Sequence, residues 1–172
     1  MSRVFTLASS LKVMGAALLI VGSSSVFAAD EPAKAAAAAP GPSPAKQAIA
    51  VRKAAFLLIG NNFKPIGEVL QGKAPYNQAD VVKRAERVAF LSLLVDGTFP
   101  EDSNLGTPDT KAKAEVWEKK VEFDKLLKEF QVNAATLAQV AAKETTASDA
   151  FKKAAKAVAE GCKGCHDVYK EK

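Results

Sequence analysis

Apolar residues return at every seventh position in three separate stretches of this 172-residue chain. Ile49, Phe56, Phe63 and Leu70 form one row, with Arg52, Ile59 and Ile66 between them. Val116, Phe123, Phe130 and Leu137 form a second, interleaved with Lys120, Leu127, Ala134 and Ala141. Phe151, Val158 and Cys165 form a third, alternating with Ala155, Cys162 and Tyr169. Such spacing lays a stripe along one side of an α-helix, whereas strand side chains alternate every second residue. No stretch shows sustained strand alternation bounded by turn signals. Val81, Ala85, Val88 and Ser92 begin a fourth stripe. Striped helices must bury their stripes against one another, so the sequence predicts an all-α fold, most simply an antiparallel four-helix bundle.

Punctuation residues set the limits of these helices. Pro65 lacks a backbone donor and is expected to kink the first helix, which ends around Gln71-Gly72 with Pro75 just beyond. Asn77, followed by Asp80, caps a second helix reaching about Leu94. Val95 to Asp109 carries Gly97, Pro100, Gly106 and Pro108. This longest connection is expected to cross between the ends of the bundle or to cover something. The third helix is predicted from about Lys111 to Lys143, and Ser148 caps the last one after a short link at 144–147.

The last stripe ends in Cys162-Lys163-Gly164-Cys165-His166, the attachment signature of a c-type haem. On a helix the two cysteines and the histidine fall at i, i+3 and i+4 and point from one side, so one face holds both the porphyrin edge and the iron. Other chemistries fit less well. A thioredoxin-like pair expects a βαβ setting, and zinc wants four ligands where this chain has these two cysteines and a single histidine. The least favoured reading is a haem-free bundle with a Cys162–Cys165 disulfide. The site residues are therefore Cys162 and Cys165 as thioether positions and His166 as the metal ligand, with one covalent haem c per chain.

The N-terminus agrees with that chemistry. Arg3 and Lys12 precede an apolar run from Val13 to Val21, and Val26-Phe27-Ala28 closes a small-residue cleavage site. The run is about half of what a spanning helix needs, so we expect a secretory signal at 1–28 rather than a stable membrane anchor. From Ala29 to Lys46 the composition collapses to a handful of small, charged and proline residues, the mark of a flexible tether, and the folded domain is expected at 47–172. Removing the signal takes away two bases and no acid from a formal charge of +5. Nothing in that balance argues for nucleic acid.

Both methionines, Met1 and Met14, leave with the signal. Soluble c-type electron carriers commonly close the sixth iron position with methionine or a second histidine. This mature chain supplies neither, so the iron is expected to be five-coordinate and open to a small exogenous ligand. Arg52 is the one strongly polar residue in the first stripe. Buried, it needs an anion such as a haem propionate; otherwise it reaches the surface along its aliphatic stem. If Arg52 marks the propionate edge, Phe56 lies over the porphyrin face and crowds the open position.

With these residues in view, the chain resembles the cytochromes c′, the class II c-type cytochromes of bacterial periplasms. The resemblance rests on Arg52-Lys53-Ala54-Ala55-Phe56, Gly72-Lys73-Ala74-Pro75-Tyr76, Glu115-Val116-Trp117 and the run from Cys162 to Tyr169. It implies a four-helix bundle, a homodimer packed through the first two helices, and a high-spin haem that binds nitric oxide and carbon monoxide but poorly oxygen. By position it places Arg52 and Lys53 near a propionate and Phe56 at the distal residue, which is leucine or methionine in many relatives. Lys170 stands where many relatives have arginine, and Val95-Asp96-Gly97 replaces a common Pro-Trp.

The sequence therefore favours a periplasmic haem protein that binds nitric oxide and carbon monoxide and scavenges the former. A periplasmic electron carrier working with redox partner proteins is the alternative. Catalysis is not indicated, since there is no second histidine for acid–base work and no recognisable carboxylate pair.

Overall fold

The computed structural model describes residues 41–172. The expected signal and most of the expected tether lie outside the described residues. Helix α1 spans Pro44–Leu70, α2 Gln78–Leu93, α3 Glu115–Glu118, α4 Lys120–Lys143 and α5 Asp149–Tyr169, with a 3₁₀ turn at Glu101–Ser103. No strand occurs among the described residues. The four long helices form the antiparallel bundle that the stripes predict. Packing is broad between α1 and α2, α2 and α4, and α4 and α5, but narrow between α1 and α5.

Helix α1 starts at Pro44 rather than near Gln47. Proline is tolerated at the first helical position, where its missing N–H is not needed, and the Ser43 hydroxyl accepts from Lys46 N at 3.4 Å. The helix runs through Pro65 without ending. Asn77 accepts from Asp80 N at 3.0 Å and Ser148 from Phe151 N at 3.2 Å, so both expected caps are present.

The third predicted helix differs at its start. Residues 111–113 are extended, and only the four-residue α3 precedes α4, with Lys119 between them at φ −115° and ψ 45°. The cause is non-local. Lys113 N donates to Tyr169 O at 3.0 Å and Glu171 N to Lys111 O at 2.8 Å, which ties this segment to the C-terminal tail. Backbone groups used in that pairing cannot also enter a helix.

Two clusters make the interior. The larger is aliphatic: Ile66, Val88, Leu137, Phe151 and Val158 are fully buried, with Ala85, Ala134 and Ala155 letting the helices approach closely. The smaller gathers Val116, Phe123 and Tyr169 with Phe99 and Trp117 at the end of the bundle where α5 finishes.

Candidate functional site

Helix α5 positions the attachment residues. Its fully buried Phe151 and Val158 anchor the first half of the helix, and Cys162 and Cys165 follow on the same stripe where the packing thins. Both are free thiols and half-buried, so the stripe emerges from the core at the motif instead of staying on it. Burial, then the neighbouring Cys165, pushes the Cys162 thiol up to about 11. Burial and the Glu129 carboxylate raise Cys165 as well. Neither thiol is a poised thiolate, which argues against a redox-active pair, whose attacking cysteine needs a depressed pKa.

His166 is exposed on the last turns of α5. Partial desolvation, then positive Lys170 one turn later, lowers its pKa, and Asp167 opposes them. The ring of Phe56 meets it edge-on from α1, with centroids 6.5 Å apart and planes at 66°. Phe56 is itself 37% exposed, unusual for a phenylalanine on an expected core stripe. A straight helix drifts about 20° per seven residues from a strict seven-residue repeat. The buried face of α1 accordingly runs through Ile49, Arg52, Ala55, Ile59 and Ile66, and Phe56 stands at its margin.

The donor set fits a covalently bound haem c. Two unpaired thiols and one imidazole leave one side of α5, next to an exposed aromatic ring and beside the narrowest seam of the bundle. The thiols would hold the porphyrin as thioethers and the imidazole would bind the iron. Lys53 is exposed and forms no ion pair among the described residues.

Arg52 does not reach the surface. It is 3% exposed, and both terminal nitrogens of its guanidinium are engaged within the protein. Nη1 donates to Thr98 O at 3.1 Å and Ser103 Oγ at 2.8 Å; Nη2 donates to Ser103 O at 3.3 Å and Thr110 Oγ1 at 2.8 Å. The plane also lies 4.8 Å from the Phe99 ring centroid and 5.7 Å from that of Trp117. No carboxylate pairs with it among the described residues, and burial lowers its pKa from the usual arginine range. The long connection therefore covers this residue. Spacing did not point to Thr98, Ser103 or Thr110, because irregular segments carry no period; the cluster of Ser, Thr, Gly and Pro was the only signal.

The chain matches the family model described as Cytochrome C′ over residues 47–170. It is 37% identical over 124 residues to the cytochrome c′ of Rhodopseudomonas palustris, covering 72% of this chain and 82% of the relative. It is 35% identical over 122 residues to that of Pararhodospirillum photometricum, with 70% and 93% covered. The solved cytochrome c prime of Shewanella frigidimarina superposes with a TM-score of 0.70 at 42% identity, covering 77% of this chain and all (100%) of that one. A ferrous variant from Alcaligenes xylosoxidans with bound nitric oxide gives 0.66 at 28% identity, with 77% and 99% covered. A carbon monoxide-bound variant from the same organism gives the same score and identity, with 77% and 100% covered.

Proposed function

Because this chain belongs to the cytochrome c′ family, we propose that it binds nitric oxide and carbon monoxide at a five-coordinate ferrous haem and scavenges nitric oxide in the periplasm. Haem c, the cofactor of this family, supplies a redox-active iron able to take a diatomic ligand. Cys162 and Cys165 hold it covalently, and His166 is the axial donor.

One observation carries the reading. His166 is the sole histidine, no methionine follows Met14, and the side chain that approaches the imidazole from α1 is Phe56. A phenyl ring neither ligates iron nor donates a useful hydrogen bond. It crowds the side left open and favours ligands that do not depend on a polar pocket. The solved relatives carrying nitric oxide and carbon monoxide support the same ligand class. Export rests on the signal features at 1–28 and on haem attachment as a use for two cysteines in an oxidising compartment.

A homodimer completes the reading. Val51 and Leu58 are exposed seven residues apart on α1, and Phe90 and Leu93 are exposed three residues apart on the adjoining α2. A second copy packed through these helices would cover this apolar surface. Electron transfer is the second reading, favoured by the exposure of His166 at the surface end of α5. Comparing electron self-exchange rate with nitric oxide affinity separates the two.

The deciding experiment is the absorption spectrum of ferrous holoprotein without added ligand. A high-spin five-coordinate spectrum is expected, and a low-spin one overturns the open site. Phe56→Ala is expected to speed carbon monoxide association, and an unchanged rate removes Phe56 from the ligand's path.

A further inference from the structure

Binding at a ferrous iron requires an electron that the chain does not supply, because both thiols are spent as thioethers and there is no third cysteine. A one-electron donor must therefore meet this protein, and the surface charge shows where. Phe56 on α1 and His166 on α5 face each other across the seam assigned to the haem. One row further from the core than these residues, both helices carry lysine. Lys53 precedes Phe56 by three residues, and Lys64 lies eleven residues beyond Lys53, close to three whole turns, so the two share a side of α1. On α5, Lys156, Lys163 and Lys170 repeat every seven residues, with Lys163 three before His166 and Lys170 four after it. All five lysines are exposed. Because the two helices run antiparallel, Lys53 stands near the level of Lys170 and Lys64 near that of Lys156, so these four frame the seam.

We propose that this lysine frame docks an acidic electron-transfer protein that reduces the haem. The inference rests on the haem reading. The exchange is a single electron, lost by the partner's reduced centre and gained by ferric iron, with no atom transferred. Charge selects the partner. Helix α1 carries one acid, Glu68, and Lys53, Lys64 and Lys170 form no ion pair among the described residues. Lys156 with Glu160 at 3.6 Å, and Lys163 with Asp167, pair only on the open surface, where solvent and salt screen them. A propionate beside Lys53 would offset that lysine and leave the other corners of the frame. Leu57, 64% exposed between Lys53 and Lys64, gives the frame an apolar centre, the layout of a protein interface with a charged rim. Redox encounters of this kind are small and use charge for speed more than area for strength. A bilayer fits less well, since one leucine inserts little and Glu160 and Asp167 repel a uniformly anionic surface. Val51 and Leu58 lie on the opposite side of α1, so a second copy packed there leaves the frame open.

The probe is a plant-type ferredoxin, an acidic one-electron protein, used reduced against ferric holoprotein in stopped flow and oxidised for calorimetric binding. The double variant Lys64→Glu with Lys156→Glu is compared with Lys125→Glu with Lys143→Glu, which makes the same change in net charge on α4. Haem content and the ferrous spectrum are recorded first for every protein. The wild-type reduction rate is expected to fall as salt rises. At low salt the seam variant should react about tenfold more slowly or worse, and bind correspondingly less tightly, while the α4 variant stays close to wild type. Equal slowing by both variants would mean that net charge alone attracts the donor, and it overturns the proposal, as does a rate indifferent to salt. Wild-type protein that binds phosphatidylglycerol vesicles but not ferredoxin overturns it in favour of a membrane surface. Wild-type protein without haem overturns the cofactor reading and this inference together, whereas haem-loaded protein whose ferredoxin binding ignores the seam variant overturns this inference alone.

Discussion

Around Ile66, Leu137 and Phe151 the bundle is closed by aliphatic, alanine and phenyl groups contributed by regular helices, whereas around Phe123 and Tyr169 the interior is aromatic and adjoins a buried guanidinium supplied with partners by an irregular connection. The first region is sealed by periodicity and carries no reactive group deep inside it. The second has fewer residues, depends on hydrogen bonds to place its rings, and lies at the end of the bundle where α5 presents His166. The bulk of the fold is thus insulated from the chemistry, and the small region carries the fine positioning.

The comparison is tested most severely at Phe151. Its ring is fully buried and meets Tyr76 edge-on at 4.9 Å. Phe151→Ala is expected to cost about 3–5 kcal/mol through lost transfer energy and an unfilled cavity. Urea unfolding of the holoprotein measures this, and the ferrous haem spectrum should stay unchanged in the folded fraction. A spectral change without a loss of stability would mean that the aliphatic core, too, controls the site.

A smaller effect is expected at Thr110, whose hydroxyl accepts from Arg52 Nη2 at 2.8 Å and from Ala112 N at 3.1 Å. Thr110→Val removes an acceptor while nearly preserving shape, and leaves a buried charged donor unsatisfied. The expected loss is about 1–3 kcal/mol. It should fall largely to nothing when Arg52 is already lysine, because the two residues act as one unit in a double-mutant cycle. Additive losses would show that the connection is held by other means.

The two regions also differ in how far they were legible in the sequence. The four long helices followed from apolar spacing and from Asn77 and Ser148, local signals that the structure preserves as caps. The motif at Cys162, Cys165 and His166 was legible because a helix alone brings its residues to one side. What escaped was non-local. Lys111 and Lys113 lie just ahead of a periodic stripe, yet their backbone pairs with the residues beside Tyr169, so the third helix begins later than its pattern implies. Pro44 belongs by composition to the preceding Pro-rich segment but opens α1. Arg52 stood out as a polar residue on an apolar stripe, and its burial could be weighed from pattern alone, but its partners lie 46 to 58 residues away in a segment without a period. Phe56 sits on the seven-residue row but off the buried face, because a real helix turns every 3.6 residues.

The smallest effect expected concerns Glu115, which opens α3 beside the aromatic cluster. A backbone N–H holds its carboxyl below the usual range, and Lys113 adds to this with an ion pair at 3.0 Å. A carboxyl with a lowered folded pKa stabilises the folded state above its unfolded value, near 4.5, and that contribution is lost as pH falls through the folded value. Glu115→Gln should therefore lower stability slightly at neutral pH, and the difference from wild type should close as the solution is acidified below the carboxylate range. Thermal unfolding measured at neutral and acidic pH reads this directly. A gap that persists in acid would mean that Glu115 acts through shape rather than charge. A large gap at neutral pH would make this half-buried pair a second electrostatic anchor for the aromatic end, and Arg52 would no longer be the only charge on which that region depends.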